Sequence, residues 1–282
     1  TNAILYCNAT PHFIDSEIET LGINTDQLSS YLKSETVYKN DILVNKITGN
    51  QIKAILPVHT FGHACKIEEI IEIAEKYKLT IIEDAAEAIG SKYNNKHLGT
   101  FGDMGILSFN GNKTITTGAG GAIMTDNASY AKELKHITTT AKMKHRWKFI
   151  HDKLGYNYRM PNICAAVGLA QLENIYTLIS KKRDLHSKYK KNFKDNKYVD
   201  IFSERERATS NYWFNSIMLK DKFTDYREDI LEDLNNNNIG SRPCWELMHK
   251  LPYLKNFPKM QMAGSEEIYN KIINMPSSAS IL

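Results

Sequence analysis

The run Ile67-Glu-Glu-Ile-Ile-Glu-Ile-Ala-Glu-Lys-Tyr77-Lys-Leu79-Thr-Ile-Ile-Glu-Asp84 reads as a helix that leads into a strand. Ile70, Ile71 and Ala74 recur on one side of residues 67–77 at helical spacing, and Leu79 to Glu83 is a short apolar run of strand length. Upstream, Ala54-Ile-Leu-Pro-Val58 reads as another strand, so the three pieces form the unit from which parallel sheets with crossover helices are built. Further strands are expected at Met104 to Phe109 and at Gly121 to Thr125. Ligands of such sheets collect at the carboxyl ends of the strands. Asp84, Ser108 and the loop that carries Lys113 all fall there.

An aspartate at a strand end and a lysine in a loop are each common, and a lone loop lysine is ordinarily solvated. Their company changes the reading. Ser108 lies five residues before Lys113, the turn Asn110-Gly-Asn-Lys-Thr114 is glycine-containing, and Gly118-Ala-Gly-Gly121 leads into the next apolar segment. Pyridoxal phosphate needs such a set: a lysine that holds it as a Schiff base, and a carboxylate that keeps its ring nitrogen protonated so that the ring absorbs carbanion charge. The pair Asp84 and Lys113 therefore points to transamination.

Five stretches carry a family resemblance: Pro57-Val-His-Thr-Phe-Gly62, Ile82-Glu-Asp-Ala-Ala-Glu-Ala-Ile-Gly90, Phe101-Gly-Asp103 with Ser108-Phe-Asn-Gly-Asn-Lys113, Gly155-Tyr-Asn-Tyr-Arg-Met160, and Ser241-Arg-Pro-Cys-Trp-Glu-Leu-Met-His249. In this order they resemble the DegT/DnrJ/EryC1/StrS sugar aminotransferases, a branch of the fold-type I pyridoxal phosphate enzymes. The resemblance implies an α/β fold with a mostly parallel central sheet and flanking helices, plus a smaller C-terminal α+β domain. It also implies roles. Lys113 is the cofactor-holding lysine and catalytic acid/base; Asp84 pairs with the pyridinium nitrogen; Ser108 binds the phosphate. Glu87 falls where relatives often have a glutamine that reaches the ring hydroxyl, so a carboxylate there must be protonated or borrow a donor. Asn157 reaches the neighbouring subunit's cofactor across a two-fold homodimer, with Arg159 close by. Arg242, Trp245 and His249 belong to the substrate segment, an arginine meeting carboxylate or phosphate and a tryptophan packing on a sugar or base face. A core role for Trp245 and a turn role for Asn157 are the plain alternatives.

The implied reaction moves an amino group from an amino acid, glutamate by resemblance, to C4 of a nucleotide-linked 4-keto-6-deoxy sugar. The wording Arg242-Pro-Cys-Trp-Glu-Leu-Met-His-Lys-Leu-Pro252 is most similar to enzymes that aminate UDP-linked N-acetylated hexoses on routes to bacillosamine or legionaminic acid. The products feed polysaccharide or glycoprotein sugars. A pyridoxamine-dependent sugar dehydratase is the alternative on the same scaffold, but those relatives have histidine where this chain has Lys113. A non-catalytic partner or sensor is the alternative of another class. Relatives also carry an earlier segment whose helix start binds the cofactor phosphate; the sequence starts at Thr1, so the large domain is expected without that part, and Ile4 to Asp15 is expected as the family's strand and hairpin.

With 282 residues, 42% of them hydrophobic, the chain has room for one large and one smaller domain, expected at 1–195 and 196–282. A net charge of +4 gives no electrostatic case for a nucleic acid or membrane partner. No apolar stretch reaches the ~18 residues of a membrane span. The basic stretch Lys181 to Lys197 interleaves with Leu185, Tyr189 and Phe193 at helical spacing, as a solvated face opposite a packed one does. Cys7, Cys65, Cys164 and Cys244 lie far apart, which fits reduced thiols and a cytoplasmic protein. His59 and His63 are four apart, but Pro57 and Gly62 flank them, so a loop is expected there and no metal site. A long helix from Asn162 to about Phe193 is expected to bridge the domains, with a strand at Tyr212 to Leu219, a helix at Tyr226 to Leu234 and a polar stop at Asn235 to Asn238.

Overall fold

Pro57 ends the first strand of the central sheet early. The structure, a computed structural model, describes residues 1–281. The ladder covers only Ala54–Ile55 of the expected strand, since proline has no N–H to donate. The chain rejoins the sheet as a single bridge from Val58 to Asp84, with Asp84 N–H donating to Pro57 O at 2.8 Å and His59 N–H donating to Asp84 O at 3.0 Å. The sheet order is Ala54–Ile55, Thr80–Asp84, Met104–Ser108, Gly121–Met124. The first three strands are parallel and the last is antiparallel, with Asp84 level with Ile106 and Ser108 level with Gly121. The mostly parallel α/β architecture is thus the observed one.

The helix Ile67–Tyr77 covers one face of this sheet. It buries Ile67, Ile70, Ile73, Ala74 and Tyr77, while Ile71 is half-buried at the stripe's edge. Glu68 and Glu69 in its first turn favour the positive end of the helix dipole, and Lys78 at φ 54° closes it in the left-handed conformation. The helix Thr25–Glu35, whose N-cap Asn24 accepts from Gln27 N–H at 3.0 Å, adds Leu28 and Leu32 to the same core.

Three expectations need correction. Residues 4–15 do not form a strand and hairpin. Asn2–Tyr6 is a short helix with no buried residue, its amides satisfied locally by Thr1 O, and the extended stretch beyond it finds only the isolated bridges Phe13 to Lys259 and Ser16 to Ile23. The long helix is two, Asn162–Glu173 and Ile175–Asn192, bent by 58°. Asn174 causes the break: its side chain donates to Ala170 O at 2.9 Å, so a short amide competes with the helix for a backbone acceptor. Among the described residues no single helix is long and apolar enough to cross a membrane; by length and composition this bent pair alone passes a membrane-span test.

The strand expected from Tyr212 begins only at Asn215, running Asn215–Leu219. With Val199–Ile201, Arg242–Pro243 and Ile272–Met275 it forms an antiparallel four-stranded sheet, all drawn from residues beyond 195. The helix Arg227–Asn236 packs Leu231 onto this sheet's core, and the asparagine run ends it, with Asn237 as cap and Asn238 at φ 61°. Ala208–Thr209 pairs instead with Lys92–Tyr93 of the first part. A division near 195 remains a proposal.

Candidate functional site

Glu83 and Asp84 end the same strand and face opposite ways. Glu83 is fully buried, and its carboxylate accepts from His59 Nε2 at 2.8 Å, Gly99 N–H at 2.8 Å, Phe101 N–H at 2.6 Å and Gly102 N–H at 2.7 Å. Burial works against its charge, but the His59 hydrogen bond and the backbone donors outweigh it and hold its pKa below the usual glutamate value. His59 Nδ1 lies 3.4 Å from the Cys65 amide nitrogen; burial works against a charge on the imidazole, but Cys65 and Glu83 outweigh it and raise its pKa to about 10. This buried brace fixes the strand end from behind. Asp84, half-buried, is left facing the other way, one oxygen accepting Ala86 N–H at 3.1 Å.

Glu87 follows within a turn and meets Lys113. Lys113 Nζ lies 3.5 Å from Glu87 Oε1, both side chains mostly covered. Glu87 Oε2 accepts Phe61 N–H at 2.7 Å. The carboxylate is thus met by two donors of the chain itself, one ammonium and one amide. Burial is the largest influence on its pKa and raises it; nearby Asp84 adds to the rise, while Lys113 and the Phe61 amide pull against it. Phe61 delivers its N–H from φ 55°, a strained conformation for a bulky residue.

The sequence reading missed two residues that hold the lysine. Trp213, nearly fully buried, places its ring under Lys113, with Nζ 3.8 Å from the ring centroid, and its Nε1–H donates to Asn112 O at 2.8 Å. Asn211 Nδ2 lies 2.9 Å from both Glu87 O and Ile89 O and 3.3 Å from Thr114 Oγ1. Both contacts span about a hundred residues of sequence, so no local signal carried them. In the structure Tyr212 sits at φ 45°, which interrupts the expected strand and turns the chain toward Lys113.

The remaining expected residues divide. Ser108 Oγ, at the end of its strand, has Asn110 N–H at 3.4 Å. Trp245 is 61% exposed and lies parallel to Trp213, centroids 6.2 Å apart at 7°, so it continues the aromatic wall that starts under Lys113 and includes Phe214 and Phe61. Arg242 is spent locally, donating to Asn235 Oδ1 at 2.8 Å and Ser241 O at 2.7 Å. His249 is buried with Nε2 3.3 Å from Glu266, an internal contact and not an open ligand. Asn157 makes a backbone bridge to Thr139, and Asn157 and Arg159 are exposed, without side-chain hydrogen bonds among the described residues. The structure thus gathers Asp84, Glu87, Lys113, Trp213 and Trp245, and leaves Asn157, Arg159 and His249 outside their contacts.

Among the described residues no three His, Cys, Asp or Glu side chains converge for a metal. His63 packs its ring on Phe202 and Tyr212, and burial pushes its pKa down to about 3. The Lys113 cluster instead suits an aldehyde cofactor with a basic ring nitrogen and a phosphate: a primary amine held against one carboxylate, a second carboxylate at a strand end, and a hydroxyl on the neighbouring strand.

The DegT/DnrJ/EryC1/StrS aminotransferase family model matches residues 1–281. The chain is 40% identical over 281 residues to the GDP-perosamine synthase of Escherichia coli O157:H7, a match that covers 99% of this chain and 71% of that protein. It is 27% identical to the UDP-4-amino-4,6-dideoxy-N-acetyl-beta-L-altrosamine transaminase of Campylobacter jejuni, over 98% of this chain and 70% of that one. Its structure is similar to that of Helicobacter pylori PseC, an aminotransferase of pseudaminic acid biosynthesis, with TM-score 0.89 and 25% identity over 100% of this chain and 72% of that chain.

Proposed function

This chain belongs to the DegT/DnrJ/EryC1/StrS aminotransferase family, and from that premise we propose that it aminates C4 of a nucleoside-diphosphate-linked 4-keto-6-deoxy sugar, with an amino acid, glutamate, as donor. The observation that carries this reading is the Lys113 amine held against Glu87 beside the strand end that bears Asp84. The family depends on pyridoxal phosphate. Bound here, that cofactor supplies the electron sink for the donor's α-carbon. Asp84 would hold the ring nitrogen in its protonated form, Ser108 Oγ would donate to the phosphate, and Glu87 would meet the ring hydroxyl.

Lys113 Nζ does the proton work, taking the proton from the donor α-carbon and returning one to the sugar carbon that receives the amino group. The buried brace Glu83 to His59 keeps Asp84 from turning inward, which spends folding energy to hold the site in one geometry. The wall of Trp213, Phe214 and Trp245 offers a flat apolar surface for a sugar or base face, and excludes water from the side of the lysine it covers. The exposed Asn157 and Arg159, with the exposed apolar residues Ile163, Leu169 and Tyr176 nearby in sequence, support a homodimer in which Asn157 serves the neighbouring subunit. Arg242 would reach substrate only by giving up Asn235. The relative at 40% identity is named for a GDP-sugar and the one at 27% for a UDP-sugar, so both nucleotides are to be offered.

The test is an absorption spectrum of the full protein with pyridoxal phosphate, before and after excess glutamate, with Lys113→Ala alongside. A band at about 420 nm that moves to about 330 nm with glutamate, and that the variant lacks, supports the reading. A band indifferent to Lys113 sinks it.

A further inference from the structure

We infer that Trp213 is a positioning residue for Lys113: its indole face is the seat of the lysine ammonium whenever that amine is not bonded to cofactor. The inference rests on the proposed role of Lys113. The ammonium lies 3.8 Å from the Trp213 ring centroid on one side and 3.5 Å from Glu87 Oε1 on another. An ammonium over the face of a buried indole is held by the ring quadrupole, most strongly where water is excluded. Trp213 is 2% exposed.

The seat is built rather than incidental, because Trp213 is tied down at every polar atom. Its backbone N–H donates to Asn211 Oδ1 at 2.8 Å, its carbonyl accepts from buried Lys182 Nζ at 3.2 Å, and its ring N–H donates to Asn112 O at 2.8 Å. Phe214 stacks on it at 4.0 Å. The last of those hydrogen bonds grips the residue before Lys113, and Asn211 Nδ2 reaches Thr114, the residue after it. The loop is thus clamped on both sides of the lysine by two neighbouring residues from the far end of the chain. An acid/base lysine has to leave the cofactor and return in each half-reaction, and a long flexible side chain released into solvent would lose that position. The indole face gives the released amine one place to wait, next to Glu87.

Two kinds of change separate this role from mere packing. In the cofactor-free full-length protein, the acylation rate of Lys113 by acetic anhydride is followed by peptide mass spectrometry. Trp213→Leu removes the ring face and is expected to raise that rate about tenfold, whereas Trp213→Phe keeps a face and is expected to stay within about threefold of the parent. Should the leucine variant fail to fold, replacement of all tryptophans by mono-, di- and trifluorotryptophan weakens the ring quadrupole in steps at nearly constant shape. A stepwise rise in Lys113 acylation with fluorine number is the expected result. A flat series, or equal rates in the phenylalanine and leucine variants, overturns the inference. Neither readout involves the cofactor, so loss of the wild-type absorption band would sink the proposed function separately and leave the tryptophan result standing.

Discussion

His59 and Glu83 form an ion-pair geometry at 2.8 Å with both side chains fully sealed from water. Their neighbours on the chain, Val58 and Asp84, bridge the strand end at the same level, so the buried pair and the half-buried Asp84 carboxylate are set by one piece of backbone. Glu83 takes three further backbone donors, and no neutral residue reproduces four accepted hydrogen bonds.

Glu83→Gln should therefore be strongly destabilising. The amide would turn a donor toward backbone N–H groups and leave at least one buried and unpaired, a loss of about 3 kcal/mol or more. Urea unfolding measures it. The wild type carries a pH signature of the same origin. Because the folded pKa of Glu83 is depressed, its contribution is present above the unfolded value near 4.5 and is lost as pH falls through the lower folded value. The variant should show a flatter stability curve below pH 4.5, and an unchanged slope would refute the account.

Gly62 sits at φ 90°, and a Cβ there would lie 2.0 Å from Asn211 Oδ1. Both facts penalise any side chain, and the displaced group is the one that orients Trp213. Gly62→Ala should cost about 2 kcal/mol or more, and should disturb Trp213 fluorescence as well as stability. Equal spectra for variant and parent would show that Asn211 had not moved.

The helix Ile67–Tyr77, the strand Thr80–Asp84 and the strand Met104–Ser108 were legible because their signals are local: apolar spacing on one helix face and short apolar runs between breakers. That Asp84 and the loop of Lys113 both follow strand ends of one sheet was legible for the same reason. What resisted was whatever depends on contacts between distant residues. Trp213 reads as one position of a continuous strand until the left-handed Tyr212 redirects it, and Asn174 looks like any polar helix residue until its amide takes Ala170 O. The resemblance placed His249 in the substrate segment, and its burial beside Glu266 leaves no mark near residue 249.

Glu87→Gln should stabilise the cofactor-free protein at neutral pH. Burial raises the folded pKa of Glu87 above its ordinary value, with Asp84 adding to it, so the folded state holds the proton more tightly than the unfolded chain. Stability then falls as pH rises from about 4.5 through the folded value, and the deficit persists at neutrality. Glutamine removes that deficit while its carbonyl still accepts Phe61 N–H. A gain in stability in urea unfolding at pH 7 is expected, shrinking to nothing below pH 4. A variant less stable at both pH values would mean that the attraction to Lys113 outweighs burial.

Lys182 gives the opposite side of the pH scale. It is 6% exposed, its ammonium donates to Trp213 O and Ser277 O, and among the described residues no carboxylate accompanies it. Burial pulls its pKa down from 10.5 to about 8. A lysine whose folded pKa is lowered burdens the fold fully below that value, since the buried charge is then present, and the burden lifts as pH rises from about 8 to 10.5, where the folded state has already released a proton the unfolded chain still holds. Lys182→Met abolishes this titration but leaves two buried carbonyls without a donor, so its net effect at pH 7 is a difference of two costs. The slope is the cleaner quantity. Between pH 8 and 10 the stability of the wild type relative to Lys182→Met should climb by about 2 to 3 kcal/mol, other titrating groups cancelling in the comparison. Parallel curves for the two proteins would show that Lys182 keeps its proton throughout, and that water or a mobile carboxylate reaches it.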